Sequence, residues 1–318
     1  DRTGLVTTPG DVVGRAEAIL RAACGDRVRT RFELAALTTF RIGGPAALFL
    51  EPETDSDLVA VSEAVRQTGI RVAVLGKGSN VLVADEGFPG LVLRLGRGYR
   101  WSARDGERLT AGGAMPLPAF AGVALAHGLS GLEFGVAIPA SLGGSVRMNA
   151  GAHGGSLADV VESVDLFRLT DGVAQRWGAD DAGFAYRRSV LPAGAVIVGA
   201  TVRLVAGDPG EIRARMDEAR EWRRRTQPLA EPNCGSVFKN PPRDHAARLI
   251  EEAGAKGRRY GLASVSTKHA NFIVASAGAT AADVLSLIRE VQDLVAQRSG
   301  VRLEPEVHLL GDLDLASR

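Results

Sequence analysis

A chain of 318 residues, 45% of them hydrophobic, can bury more than one core, and at roughly 100 to 150 residues per unit it should hold two or three domains. Its 38 Lys plus Arg balance 37 Asp plus Glu, which leaves no overall field for nucleic acid or an anionic membrane and confines anion binding to a local basic pocket. The two distant cysteines, Cys24 and Cys234, exclude a disulfide scaffold and a Cys-based zinc site; with no stretch near the roughly 20 apolar residues of a membrane helix and no secretory pattern at the start, a cytoplasmic protein is expected.

The first expected helix runs near Asp11 to Ala23. RFELAALTTFRIGGPAALFLEPE then sets strand-like apolar stretches around a Gly-Gly-Pro turn. DSDLVAVSEAVRQTG repeats apolar residues at helical spacing, with Asp55 or Ser56 as cap and Gly69 as stop, and leads into RVAVLG, read as a buried strand ending in glycine. From Gly76 to Val205 short apolar strands (VLVAD, LVLRL, VVESVDLFRL, VIVGATVRLV) alternate with glycines, with one helix near Pro116 to His127, which makes a mixed α+β unit. A Gly-Asp-Pro-Gly turn opens a long charged helix that stops before Pro228. The loop LAEPNCGSVFKNPP, a helix near His245 to Ala253, strand-like HANFIVA, a helix near Ala281 to Gln297 and the extended VRLEPEVHLL follow.

LGKGSNVLV places Gly76, Lys77, Gly78, Ser79 and Asn80 directly after a strand, where backbone N–H groups can converge on a phosphate. A plain turn between strands uses the same residue types, and neither Walker nor Rossmann spacing is present. GVAIPASLGGSVRMNAGAHGG lets backbone approach something bulky near Gly143, Gly144, Asn149 and Gly151, or forms a tightly turned buried connection. FAYRRS sets the phenol of Tyr186 beside the guanidinium fork of Arg187, a pairing suited to a carboxylate or phosphate. PNCGSVFKNPP gathers Ser236, Lys239 and Asn240 in one irregular loop; with no GxSxG elbow, a serine hydrolase is disfavoured. SVSTKHANFIV puts Lys268, His269 and Asn271 at a strand entrance, and LEPEVH puts Glu304 and Glu306 on the same side of an extended strand. His127, His153, His245 and His308 show no metal-ligand spacing, so no metal is expected.

Taken in order, TTFRIGGPA, LGKGSNVLV, IPASLGGSVRMNAGAHG, FAYRRS, GSVFKNP, AGAKGRRYGLASVSTKHANFIV and LEPEV resemble the UDP-N-acetylenolpyruvoylglucosamine reductase family, in its shorter second type, over nearly the whole chain. GSVFKNP and KHANFIV are the specific members of that set. The resemblance implies an α+β protein of three domains: residues 1–71 with 301–318, a central FAD-binding domain of the vanillyl-alcohol-oxidase type over 72–207, and a substrate-binding domain over 208–300. It implies FAD held by Arg41, Gly76, Lys77, Gly78, Ser79, Asn80, Ile138, Gly143, Gly144 and Ser145. The flavin would be non-covalent, since Pro45 stands where flavinylated members of the wider superfamily often carry histidine.

The same resemblance implies NADPH as hydride donor and UDP-N-acetylglucosamine enolpyruvate as acceptor, in a cytoplasmic step of peptidoglycan precursor synthesis. Ser236 would donate the proton, with Lys239 or a water relay easing its loss, while Arg187 and Glu306 stabilise charge on the substrate carboxylate. Tyr186, Lys239, Asn240, Lys268 and Asn271 would hold the substrate. His153 and Arg147 depart from the family's usual tyrosine and neutral residue. Two alternatives stand beside this reading. A flavin oxidase of the wider superfamily would not need GSVFKNP or KHANFIV, and a non-catalytic flavin or nucleotide-sugar binder would keep the motifs without turnover.

Overall fold

In the computed structural model, which describes residues 9–315, the strand Pro45–Leu50 sends Leu48 and Leu50 to one face of a sheet and Phe49 to the other, as the two-residue period of extended chain requires. The sheet has four strands in the order Arg29–Glu33, Pro45–Leu50, Phe88–Leu93, Val72–Val74, the first pair antiparallel and the rest parallel. Helices Pro9–Cys24 and Asp55–Thr68 cover the Leu48 face with Leu20, Leu58 and Val61. The second helix is capped by Thr54 rather than by Asp55 or Ser56. Thr54 and Asp57 exchange side-chain-to-backbone hydrogen bonds, because only a cap one residue earlier lets its oxygen reach the third helical N–H. Gly69 ends the helix at φ 70°. RVAVLG contributes only Val72–Val74, and as an edge strand rather than a buried one; Val74 is exposed because no strand pairs beyond it and it lines a cavity.

Five antiparallel strands, ordered Val173–Gly178, Val161–Arg168, Ala195–Arg203, Arg108–Gly112, Ser102–Asp105, form the second sheet. Helix Leu117–Ala126 packs in its core, and so does the charged helix Pro209–Thr226, which inserts Ile212, Met216 and Ala219. Steps of four and three residues place these three on one stripe. This helix therefore packs against the middle core. Strands Val72–Val74 and Phe88–Leu93 complete the first sheet, because parallel strands are joined through the crossover helix Asp55–Thr68. Inside the glycine-rich run 135–155 lies a short helix, Leu142–Arg147, capped by Ser141.

The last unit is a three-stranded antiparallel sheet, Arg259–Tyr260, Ala263–Val265 and Ile273–Ala275, with helices Ala246–Glu252 and Ala281–Ser299 in the same core. VRLEPEVHLL is regular only over His308–Leu310, which runs parallel to Val81–Val83, the strand that follows the 75–80 glycine loop. Residues 301–307 are not a strand, and Pro305 makes a single bridge to Phe238.

Candidate active site

The three units border a cavity of about 1360 Å³. All ten residues expected around the flavin line it: Arg41, Gly76, Lys77, Gly78, Ser79, Asn80, Ile138, Gly143, Gly144 and Ser145. Tyr186, Arg187, Ser236, Asn240, Asn271 and Glu306 line it as well. Its wall is cationic although the chain is nearly neutral. Arg41, Lys77, Arg94, Arg100, Arg147, Arg187 and Arg223 face only Glu231 and Glu306 as carboxylates among the described lining residues. Burial, reinforced by Arg100 and Arg94, pushes the Lys77 ammonium below the ordinary lysine range. A wall of this kind is completed by an anionic ligand.

The glycine loops meet at distances that side chains would forbid. Gly78 sits at φ 63°, and a Cβ there would stand 2.1 Å from the Leu37 carbonyl oxygen, so only glycine lets Thr39 N donate to Gly78 O at 2.9 Å. A Cβ on Gly76 would lie 2.6 Å from Ser141 Oγ, which brings the 75–80 loop against the cap of helix Leu142–Arg147. Ser145 Oγ and Asn80 Oδ1 are buried with no hydrogen-bond partner in the protein, yet both residues line the cavity. Exposed backbone, unpartnered polar atoms and a basic wall fit a phosphate-bearing planar cofactor, and FAD is of that class.

At the reacting end, Ala185 and Arg188 exchange backbone hydrogen bonds (3.0 and 3.1 Å) around a tip formed by Tyr186 and Arg187. Arg187 is held at φ 54°, a conformation that costs a non-glycine residue ~1 kcal/mol or more. Buried Asn149 holds the turn by donating from Nδ2 to Ala185 O at 3.0 Å. Arg187 Nε lies 2.8 Å from Glu306 Oε1 as an ion pair, although its N–H is not aligned for a hydrogen bond. Burial drives the Glu306 carboxyl above the ordinary glutamate range, against the opposing pull of Arg187 and Lys239. Glu306 therefore keeps a proton more readily than a surface glutamate does.

Three segments far apart in sequence fix the backbone around Ser236. Val237 N donates to Asn271 O (2.9 Å), Phe238 N to Asn271 Oδ1 (3.0 Å), Asn271 Nδ2 to Phe238 O (2.8 Å) and Glu306 N to Val237 O (2.7 Å). Asn80 Nδ2 joins the glycine loop to them by donating to Glu306 O at 3.1 Å. GSVFKNP, KHANFIV and LEPEV thus meet at one wall.

Several expected substrate contacts are engaged elsewhere. Lys239 pairs with Glu304 and faces a smaller outer pocket shared with Tyr186 and Asn240, so its ammonium is not in the main cavity with Ser236. Lys268 lines neither pocket: its Nζ donates to Arg224 O at 2.8 Å, at the end of helix Pro209–Thr226. Asn271 borders the cavity but commits both ends of its amide to Phe238, which makes it a positioning group for the Ser236 segment. Asn240 accepts from Ala246 N through Oδ1 (3.0 Å), and its own N–H donates to the Tyr186 hydroxyl (3.3 Å). Glu304 and Glu306 do not share an environment, with side chains 70% and 14% exposed, because the chain between them is irregular.

Arg147 donates to the carbonyls of Leu191, Pro192 and Ala195 (2.9, 3.1 and 2.7 Å), so this departure from the family pattern ties down the segment after Arg187. Arg94, Arg100, Trp222 and Arg223 also line the cavity, and the local sequence does not single them out: Arg94 stands inside the apolar LVLRL, Arg100 between two aromatics, and Trp222 and Arg223 in the charged run of a helix.

A family model described as FAD binding domain matches residues 46–178, and one described as UDP-N-acetylenolpyruvoylglucosamine reductase, C-terminal domain, matches residues 227–310. A UDP-N-acetylenolpyruvoylglucosamine reductase of Anaeromyxobacter sp. is 47% identical over 97% of this chain and 96% of its own length. One from Heliobacterium modesticaldum is 47% identical over 86% and 88%. Among solved structures, UDP-N-acetylenolpyruvylglucosamine reductase from Thermus caldophilus superimposes with a TM-score of 0.78 at 39% identity, covering 89% of this chain and 99% of that one.

Proposed function

The chain belongs to the UDP-N-acetylenolpyruvoylglucosamine reductase family, an FAD-containing oxidoreductase family, and from that premise we propose that it uses NADPH to reduce UDP-N-acetylglucosamine enolpyruvate to UDP-N-acetylmuramate. The step belongs to peptidoglycan precursor synthesis and takes place in the cytoplasm, where nucleotide-linked precursors and NADPH are available. The observation that supports it most directly is the meeting of the Arg187–Glu306 pair and the Ser236 segment in the cavity lined by the two glycine loops.

Bound non-covalently, FAD supplies the relay of a hydride from the nicotinamide to the terminal enol carbon. The 75–80 loop and the first turn of helix Leu142–Arg147 would hold it, with Lys77, Arg94 and Arg100 offsetting phosphate charge. Arg187 holds the substrate carboxylate, where negative charge collects as the double bond is reduced. Ser236 gives its proton to the adjacent carbon. Glu306, inclined by burial to keep a proton, shares the hydrogen bonding to that carboxylate. With Lys239 paired to Glu304, the proton loss from Ser236 depends on the basicity of the accepting carbon and on the field of Arg187.

The purified protein should show flavin absorption that denaturation releases, and it should oxidise NADPH only when the enolpyruvyl sugar nucleotide is added. A colourless protein or acceptor-independent turnover would sink the proposal. Rapid reoxidation by oxygen without acceptor would instead support the oxidase reading.

A further inference from the structure

The buried stripe of helix Pro209–Thr226 runs from Ile212 through Met216 to Ala219, and the next positions along it, Trp222 and Arg223, leave the core and line the cavity. The helical period therefore aims an indole at the cavity wall instead of leaving it on the outer surface. Trp222 is 39% exposed although the middle core lies one turn away. The ring of His153, on a residue held at φ 50°, stands perpendicular to it with centroids 5.0 Å apart. An edge-to-face contact of this kind fixes the plane of the indole. Arg223 adds a cation to the same wall; its Nε is bonded to Gln227 Oε1 at 3.0 Å, and no carboxylate pairs with it among the described residues.

We infer that Trp222, oriented by His153, is a stacking platform for the base of a nucleotide substrate. A partly exposed flat ring on the cavity wall next to a positive charge matches the chemistry of a base joined to phosphates, and stacking tolerates any base because each has a π face. Both nucleotides of the proposed reaction carry one, uracil on the acceptor and adenine on the hydride donor, so the identity of the ligand rests on that reading.

The test uses the full FAD-loaded chain with Trp222→Ala, Trp222→Phe and His153→Ala, each checked for flavin-to-protein ratio. Rapid-mixing measurements give the concentration dependence of flavin reduction by NADPH and, separately, of reoxidation by the acceptor. Trp222→Ala should weaken one of these dependences by about tenfold or more while changing its limiting rate less, with Phe restoring most of the loss and His153→Ala giving a smaller one. A loss in the acceptor arm assigns uracil, and a loss in the NADPH arm assigns adenine. Unchanged dependence in both arms at full flavin content overturns the inference, as does loss of flavin itself, which would give the ring to the cofactor. Calorimetric titration of UDP and of ADP needs no turnover. A wild-type protein that binds one of them through Trp222 yet reduces no acceptor would overturn the proposed reaction and leave the platform standing.

Discussion

At Ser236 the proton-donor role proposed for the hydroxyl and the structural work of the backbone are separate. The bonds that fix its segment come from the backbone of Val237 and Phe238 to Asn271 and Glu306, and none uses the serine side chain. Ser236→Ala should therefore leave the segment in place. Flavin reduction by NADPH is expected to stay within about twofold, while reoxidation by the acceptor slows by about 10²- to 10⁴-fold, the range for losing a positioned proton donor. Anaerobic rapid mixing of the two halves decides this, and equal loss in both would make Ser236 structural. The roles proposed for Ser236, Arg187 and Glu306 rest on the family resemblance, since a serine without a triad or an arginine beside a tyrosine has many uses. The same resemblance put Lys239 and Lys268 at the substrate, but a long flexible cation goes to whichever carboxylate or carbonyl the fold brings near, here Glu304 and Arg224 O.

At the scale of the element, helix Asp55–Thr68 shows what local chemistry settles. Its stop at Gly69 follows from a backbone conformation that glycine adopts freely, and its start is set within one turn. The Asp57 carboxylate of its capping box also receives both Arg27 terminal nitrogens (2.7 and 2.6 Å) and the backbone N–H of Glu53 (2.8 Å). These bonds, the Arg27 pair above all, hold its carboxyl far below the usual range. A depressed folded pKa stabilises the fold above the unfolded value of ~3.9, and that contribution is lost as pH falls through and below it. Asp57→Asn should cost about 1–3 kcal/mol at pH 7, and its stability should fall less steeply than the wild type's between about pH 4 and 2. Urea unfolding at several pH values measures both, and parallel acid slopes would refute the assignment. The long helix Pro209–Thr226 was legible as a helix, with Asp208 at its cap, but not as part of the middle core. Charge pattern reports which face is wet, not which sheet lies beneath the dry one.

For the whole molecule, the consequence lies in charge. A nearly neutral chain collects seven Lys and Arg side chains and two carboxylates on one cavity wall, so the ligand-free protein holds like charges close together. Removing FAD should lower the melting temperature, and adding it back should raise it with concentration, since a hundredfold excess over its Kd adds about 2.7 kcal/mol of stability. Added salt should stabilise the FAD-free protein more than the loaded one, because screening relieves the same repulsion. Melting curves at two ionic strengths, with and without FAD, test this; a melting temperature indifferent to FAD would count against the cavity as its site.

By itself the sequence determined the α+β class, most helices to within a turn, and, through seven motifs in fixed order, the family with its flavin and reaction class. These are properties carried by residues near one another along the chain, where a cap, a glycine or a run of small residues acts on its neighbours. Tertiary structure alone decided that strands beyond residue 71 complete the first sheet, that Asn271 positions Ser236, that two expected lysines turn away, and that Arg94, Arg100, Trp222 and Arg223 face the cavity. Each depends on strand pairing and packing between distant segments, and a side chain's neighbours there are chosen by the fold.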